Sequence, residues 1–162
     1  MKTPAALALA ATFAFPALAA EPPPEPRPER PDFSGAIEES KSWGIPAAEI
    51  LAFQFLLNRF DHAYFGCCDF AVTSRSIREN LRSGWVGDRD PFLVNQLGHP
   101  YGGSVYHGLA RSTGHGFWTS MGYTFLGSAL WEIAGETTPP SRNDQVTTGI
   151  GGSFLGEALF RM

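Results

Sequence analysis

Gly116, Ser120, Thr124, Ser128 and Glu132 recur at every fourth position. On a helix that spacing draws a single row, small or polar at each step and ending in a carboxylate. Phe117, Met121, Phe125, Leu126, Leu130, Trp131 and Ile133 cover the rest of the circumference. A row of such small side chains is a seam that lets a second helix come close. A helix that is apolar nearly all round is a buried one. Glu132 is therefore expected in an apolar setting, where its burial costs on the order of several kcal/mol unless it is paired or protonated.

The segments on either side fit the same pattern. His99-Pro100 is read as the start of the preceding helix, on which Gly103, His107 and Arg111 share a face and which Gly114 closes. After the seam helix, Pro139-Pro140 stops the chain. Ser141 is then expected to cap a last helix, with Asp144 reaching back as in a capping box. Gly149, Gly152 and Gly156 leave one face of that helix bare, so the last two helices can sit close. Glu157 and Arg161 pair one turn apart.

Upstream, Pro46 is read as opening a helix, since its missing N–H costs nothing there. Ile50, Phe53, Leu57, Phe60 and Tyr64 form its expected inner face, with Gln54, Asn58 and Asp61 on the other side and Gly66 at the end. A short second helix starts at a Thr73 or Ser74 cap. Ile77 and Leu81 are expected inward, and Arg75, Arg78 and Arg82 outward, with an Arg75–Glu79 pair. The fold class expected is mainly α: about five helices, a close-packed Gly/Ser-rich C-terminal helix pair, and no substantial sheet.

Residues 1–19 read as a signal peptide. Lys2 gives a positive start, Ala5–Phe15 an apolar run too short to span a bilayer, and Ala17-Leu18-Ala19 a small-x-small cleavage pattern. Residues 20–45 read as a linker, since the proline density of EPPPEPRPERPD favours an extended chain over a helix. Residues 46–162 are then the helical domain. The expected location is the periplasm or outer membrane of a Gram-negative bacterium. The net charge of −4, with no basic block, argues against a nucleic-acid partner. Eighteen glycines beside thirteen phenylalanines are unusual for a soluble helical domain and fit helices packed against lipid or inside a barrel. In an oxidising compartment the adjacent Cys67 and Cys68 are poorly placed to bond each other, because such a ring is strained. Asp88 and Asp90 lack the glycine and final glutamate of a calcium loop.

The phrases DPFLVNQLGHPYGGSVYHGLARSTG, GSALWEIAGE and PSRNDQVTTGIGGSFLGEALFR, with FDHAYFG and NLRSGWVGDRDPF upstream, resemble the DUF3943 family over about Ile45 to Met162. That family comprises exported bacterial proteins of unknown function. The resemblance implies that a strand-rich region resembling an outer-membrane barrel follows the GExxxR motif in its members. This chain ends at Met162, so it is expected to be either a fragment or a short member, and the partner is expected to be the outer membrane or a β-barrel region, in cis or in trans, with lipid contact. The resemblance also implies no fixed histidine at His107, which is set aside as a site residue.

Three readings of the polar residues follow. In the first, His99, Arg111, Glu132, Asn143, Asp144, Glu157 and Arg161 form a buried structural network that fixes helix register in an outer-membrane-associated assembly element. In the second, the chain is an enzyme acting on lipid or envelope substrates. His99 is then the acid or base, Glu132 or Asp144 its partner, and Arg111 an anion clamp. In the third, His99, His107, Glu132 and Asp144 bind a metal, although no paired-histidine spacing supports it. The structural reading is the one carried forward, with no cofactor and no metal expected.

Overall fold

A computed structural model of the protein describes residues 41–162 except Cys67 and Asp88. The expected signal peptide, most of the proline-rich linker, Cys67 and Asp88 lie outside the described residues. Cys68 is exposed.

Five helices make up the described residues: α1 (Gly44–Phe65), α2 (Ser74–Arg82), α3 (His99–Ser112), α4 (Phe117–Ala134) and α5. The last runs as Arg142–Val146, a π-turn over Thr147–Gly151, and Gly152–Phe160. Its junctions keep right-handed helical dihedrals, so it is one rod. No strand forms among the described residues. A single bridge ties Val86 to Ser141, through Val86 N–H to the Pro140 carbonyl at 2.8 Å and Arg142 N–H to the Val86 carbonyl at 2.8 Å. The mainly helical class expected from the sequence is what forms.

The α3 boundary differs from the expectation. Helical turns begin upstream of His99, through a π-turn over Val94–Gly98 in which the His99 N–H reaches the Val94 carbonyl. Pro100 cannot donate to the ladder, and a widened turn just before it lets the helix continue past the missing bond. Gly66, at φ 61°, and Gly114, at φ 84°, end α1 and α3 in the left-handed region, as read from the sequence.

The α1 and α2 faces are turned partway from the expectation: Ile50 is buried and Phe53, Leu57 and Ile77 are half-buried as read, but residues of the polar sides also turn inward. On α1, Gln54 and Asn58 are buried while Phe60 and Tyr64 face out. On α2, Ser76 and Asn80 are buried and Leu81 is exposed. The physical reason lies in α4. Gln54 Nε2 donates to the Gly127 carbonyl at 2.6 Å, and Asn58 Nδ2 to the Gly135 carbonyl at 2.7 Å. Asn80 Nδ2 reaches the carbonyls of Glu132, Ile133 and Glu136 at 3.3, 3.4 and 3.1 Å. The last carbonyls of a helix have no partner within it. Here the amides of Asn58 and Asn80, from two other helices, supply the donors at the end of α4, so they must turn inward, while Gln54 bonds a mid-helix carbonyl. Thr73 does cap α2, with Ser76 completing a reciprocal box, and the exposed Arg75–Glu79 pair sits at 3.4 Å.

The α4 seam lies inside, as expected: Ser120, Thr124, Ser128 and Glu132 are all buried. The rest of α4 is less enclosed than an all-apolar helix suggests, with Trp118 78% and Leu126 71% exposed. Close glycine packing also forms, shared between two neighbours of α5. A Cβ at Gly149 would lie 2.5 Å from the Phe125 ring of α4. At Gly152 it would lie 2.5 Å from the Gly103 Cα, and at Gly156 2.7 Å from the His107 Cβ, so the tightest crossing is with α3.

Taken together these contacts give an inverted interior. Among the described residues, fifteen polar or charged side chains are buried against four hydrophobic ones, Ile50, Tyr106, Ala110 and Trp131. Water-soluble domains bury the opposite selection.

Candidate functional site

The residues proposed as one network separate into two clusters along the α3–α5 crossing. The first gathers around the start of α5. Ser141 Oγ accepts the Asp144 N–H at 3.2 Å, which is the cap expected from the sequence. The reciprocal bond is not made by Asp144. The Ser141 N–H donates instead to Glu132 Oε2 at 2.8 Å, from the far end of α4. A carboxylate distant in sequence therefore completes the cap and accounts for the depth of Glu132, which is 1% exposed.

Asp144 is thereby released for other contacts. Its Oδ1 lies 3.4 Å from His99 Nε2, and Asp90 Oδ2 lies 3.9 Å from the same nitrogen. Two asparagines brace the group. Asn143 Nδ2 donates to Asp144 Oδ1 at 3.2 Å and to Asn95 Oδ1 at 3.3 Å, while Asn95 Nδ2 donates to the Asp90 carbonyl at 3.2 Å. Asp144 is buried, His99 mostly so, and Asp90 open to solvent.

The second cluster holds Arg111, Glu157 and Arg161 together with His107. His107, which the family resemblance sets aside, is fully buried, and its Nε2 lies 3.1 Å from Glu157 Oε2. Arg111 Nε is 2.9 Å from the same oxygen, and Arg161 Nε donates to Glu157 Oε1 at 2.6 Å. Arg111 also donates through Nη1 to the His115 carbonyl at 2.5 Å and stacks over Phe160, its Cζ 4.5 Å from the ring centre. An arginine so engaged is a structural tie.

Burial lowers the His107 pKa from its ordinary 6.5. The Glu157 hydrogen bond and charge pull it up and the Arg111 charge pulls it back, and burial prevails. Neutral His107 donates from Nε2, which leaves a bare Nδ1 lone pair with no partner. Burial alone would raise Glu157 above its ordinary 4.5. Hydrogen bonds from His107 and Arg161, with the charges of Arg111 and Arg161, outweigh it and hold the group lower.

Both shifts are depressions, so both contribute stability at neutral pH that is lost on acidification. The His107 contribution is complete above 6.5 and fades as pH falls below it. That of Glu157 is complete above 4.5 and fades below that value. Unfolding midpoints measured from pH 7.5 down to 5 are expected to fall more steeply for the native chain than for His107→Gln, which keeps an N–H donor for Glu157 but cannot titrate. Parallel curves would show that His107 does not titrate differently on folding.

Several participants escape a linear reading. His115 Nε2 meets the Ser42 carbonyl at 3.0 Å and Tyr123 Oη donates to the Trp43 carbonyl at 2.6 Å, pinning the start of α1 to the α3–α4 turn and to α4 itself. Asp90 and Asn95 sit outside the expected helix and join the first cluster only through tertiary contact. The i, i+4 spacing of His107 with Gly103 and Arg111 was the one signal that could have found it.

Residues 84–162 match the family model described as Domain of unknown function (DUF3943). No curated protein and no solved structure matches the chain.

Proposed function

On the premise that residues 84–162 belong to the DUF3943 family, whose function is unknown, we propose that this chain is an exported structural or assembly element held against the outer membrane. The observation that carries this reading is the inverted interior. Trp118 and Leu126 on α4, Phe92, Leu93 and Leu97 before α3, and Phe154 and Leu159 on α5 are exposed, while hydroxyls, amides and carboxylates fill the centre. Apolar surface left in water costs roughly 25 cal/mol per Å². An exterior of this kind is stabilised by lipid or by the wall of a barrel, and large exposed apolar patches mark such interaction sites. No helix of the described residues is long and apolar enough to cross a membrane. The fit is therefore to helices lying against an apolar partner, with the polar network holding their register.

The expected result of expressing the full chain in a Gram-negative host is sedimentation with the outer membrane. Detergent should release it, and high salt should not. Trp118→Asp with Leu126→Asp, both on the outer face of α4, is expected to move at least half of the protein to the soluble fraction with its helical content intact. Recovery of the native chain in the soluble periplasm, or in the cytoplasm, would overturn the reading.

A further inference from the structure

We propose that Asp90, His99 and Asp144 bind a divalent transition-metal ion of the zinc class. The three residues come from the loop before α3, the start of α3 and the first turn of α5. One ligand atom from each lies within 4.8 Å of the other two. Around a tetrahedral zinc with ligands at about 2.0–2.2 Å, ligand atoms stand roughly 3.3–3.5 Å apart. The His99–Asp144 separation of 3.4 Å already meets that spacing, and the His99–Asp90 separation of 3.9 Å needs a closure of about half an ångström. The closing arm is Asp90, the exposed member of the set, while the two better-buried ligands are already in place.

The donor set indicates the ion. One imidazole with two carboxylates suits zinc, manganese or iron, whereas calcium and magnesium take oxygen ligands alone. Three protein ligands leave a fourth position open to water, the pattern of zinc sites that are not purely structural. The Asn95–Asn143 bridge supplies the outer hydrogen bonds that metal sites use to aim their carboxylates: one amide holds Asp144 Oδ1 and the other holds the backbone of Asp90. The site also differs from the sequence expectation of no metal, and from the four-residue set weighed there. His107 is committed to Glu157, and Glu132 to the Ser141 N–H.

The site stands independently of what covers the apolar exterior. The test uses the full chain purified in mild detergent, with Cys67→Ser and Cys68→Ser to remove thiol binding, stripped with chelator and titrated with Zn²⁺ by calorimetry. One Zn²⁺ per chain is expected, with magnesium and calcium failing to compete at a hundredfold excess. Asp90→Asn is expected to weaken Zn²⁺ binding at least tenfold while leaving the helical circular dichroism unchanged, because Asp90 is exposed. His99→Gln is expected to abolish binding, and Co²⁺ bound to the stripped protein should show the visible bands of a tetrahedral nitrogen–oxygen site. If His99→Gln does not fold, Asp90→Asn decides the matter alone. Absence of saturable Zn²⁺ binding, or unchanged affinity in Asp90→Asn, overturns the proposal and leaves His99 and Asp144 as a register-fixing pair.

Discussion

Gly103→Ala is expected to destabilise the protein by about 3 kcal/mol, the upper range for overpacking a close-packed site. A Cβ at residue 103 would stand 2.9 Å from the Gly152 Cα and nearer still to the Thr148 carbonyl oxygen. Both obstacles are backbone, so no side chain can swing away. The Thr148 carbonyl belongs to the π-turn of α5. Relief requires α3 and α5 to separate, which would also stretch the His107–Glu157 and Arg111–Glu157 contacts farther along the same crossing. Chemical denaturation of the purified chain measures the effect. Gly102→Ala, at a position where a Cβ meets nothing within 4 Å, is the control and should cost less than about 1 kcal/mol. Equal stability of the two variants would mean that the helices do not cross at Gly103.

Glu132→Ala is expected to cost about 3–5 kcal/mol. Part is the cavity left by a buried side chain, and part is the Ser141 N–H, which loses its acceptor in a place water does not reach. Glu132→Gln separates the two. Its amide carbonyl can still accept from Ser141, and its volume is nearly that of glutamate, so it should recover more than half of the stability lost in the alanine variant. If alanine and glutamine were equally damaging, the charge itself would matter more than the acceptor. If neither had an effect, Glu132 would not be the second half of the α5 cap. Hydrogen exchange at Ser141 gives a local reading, with faster exchange expected in the alanine variant alone.

The seam on α4 was legible because its information is periodic and local. Five small or polar residues at fourfold spacing define a face, and the structure buries the four that lie on the helix, Ser120, Thr124, Ser128 and Glu132. The same holds for the cap at Ser141, the glycine ends of α1 and α3, and the Glu157–Arg161 pair, each set by residues within one turn. Reading α1 and α2 by the rule that apolar faces turn inward failed at Phe60, Tyr64 and Leu81. That rule assumes water outside and an apolar interior. Here the deciding term is the need of the carbonyls at the end of α4 for donors, which drew Asn58 and Asn80 inward.

From the sequence alone came the helical class, the helix ends other than the start of α3, and the identity of the inward face of α4, because propensity, capping and periodicity act over three or four residues. Tertiary structure alone decided which cluster each ionisable group joined. Asp144 faces His99 and Asp90, Glu132 completes a cap nine residues away, and His107 finds Glu157 fifty residues on. Those partners meet only where α3, α4 and α5 cross. The crossing is set by how closely two backbones approach at glycine, a distance that no spacing along the chain encodes.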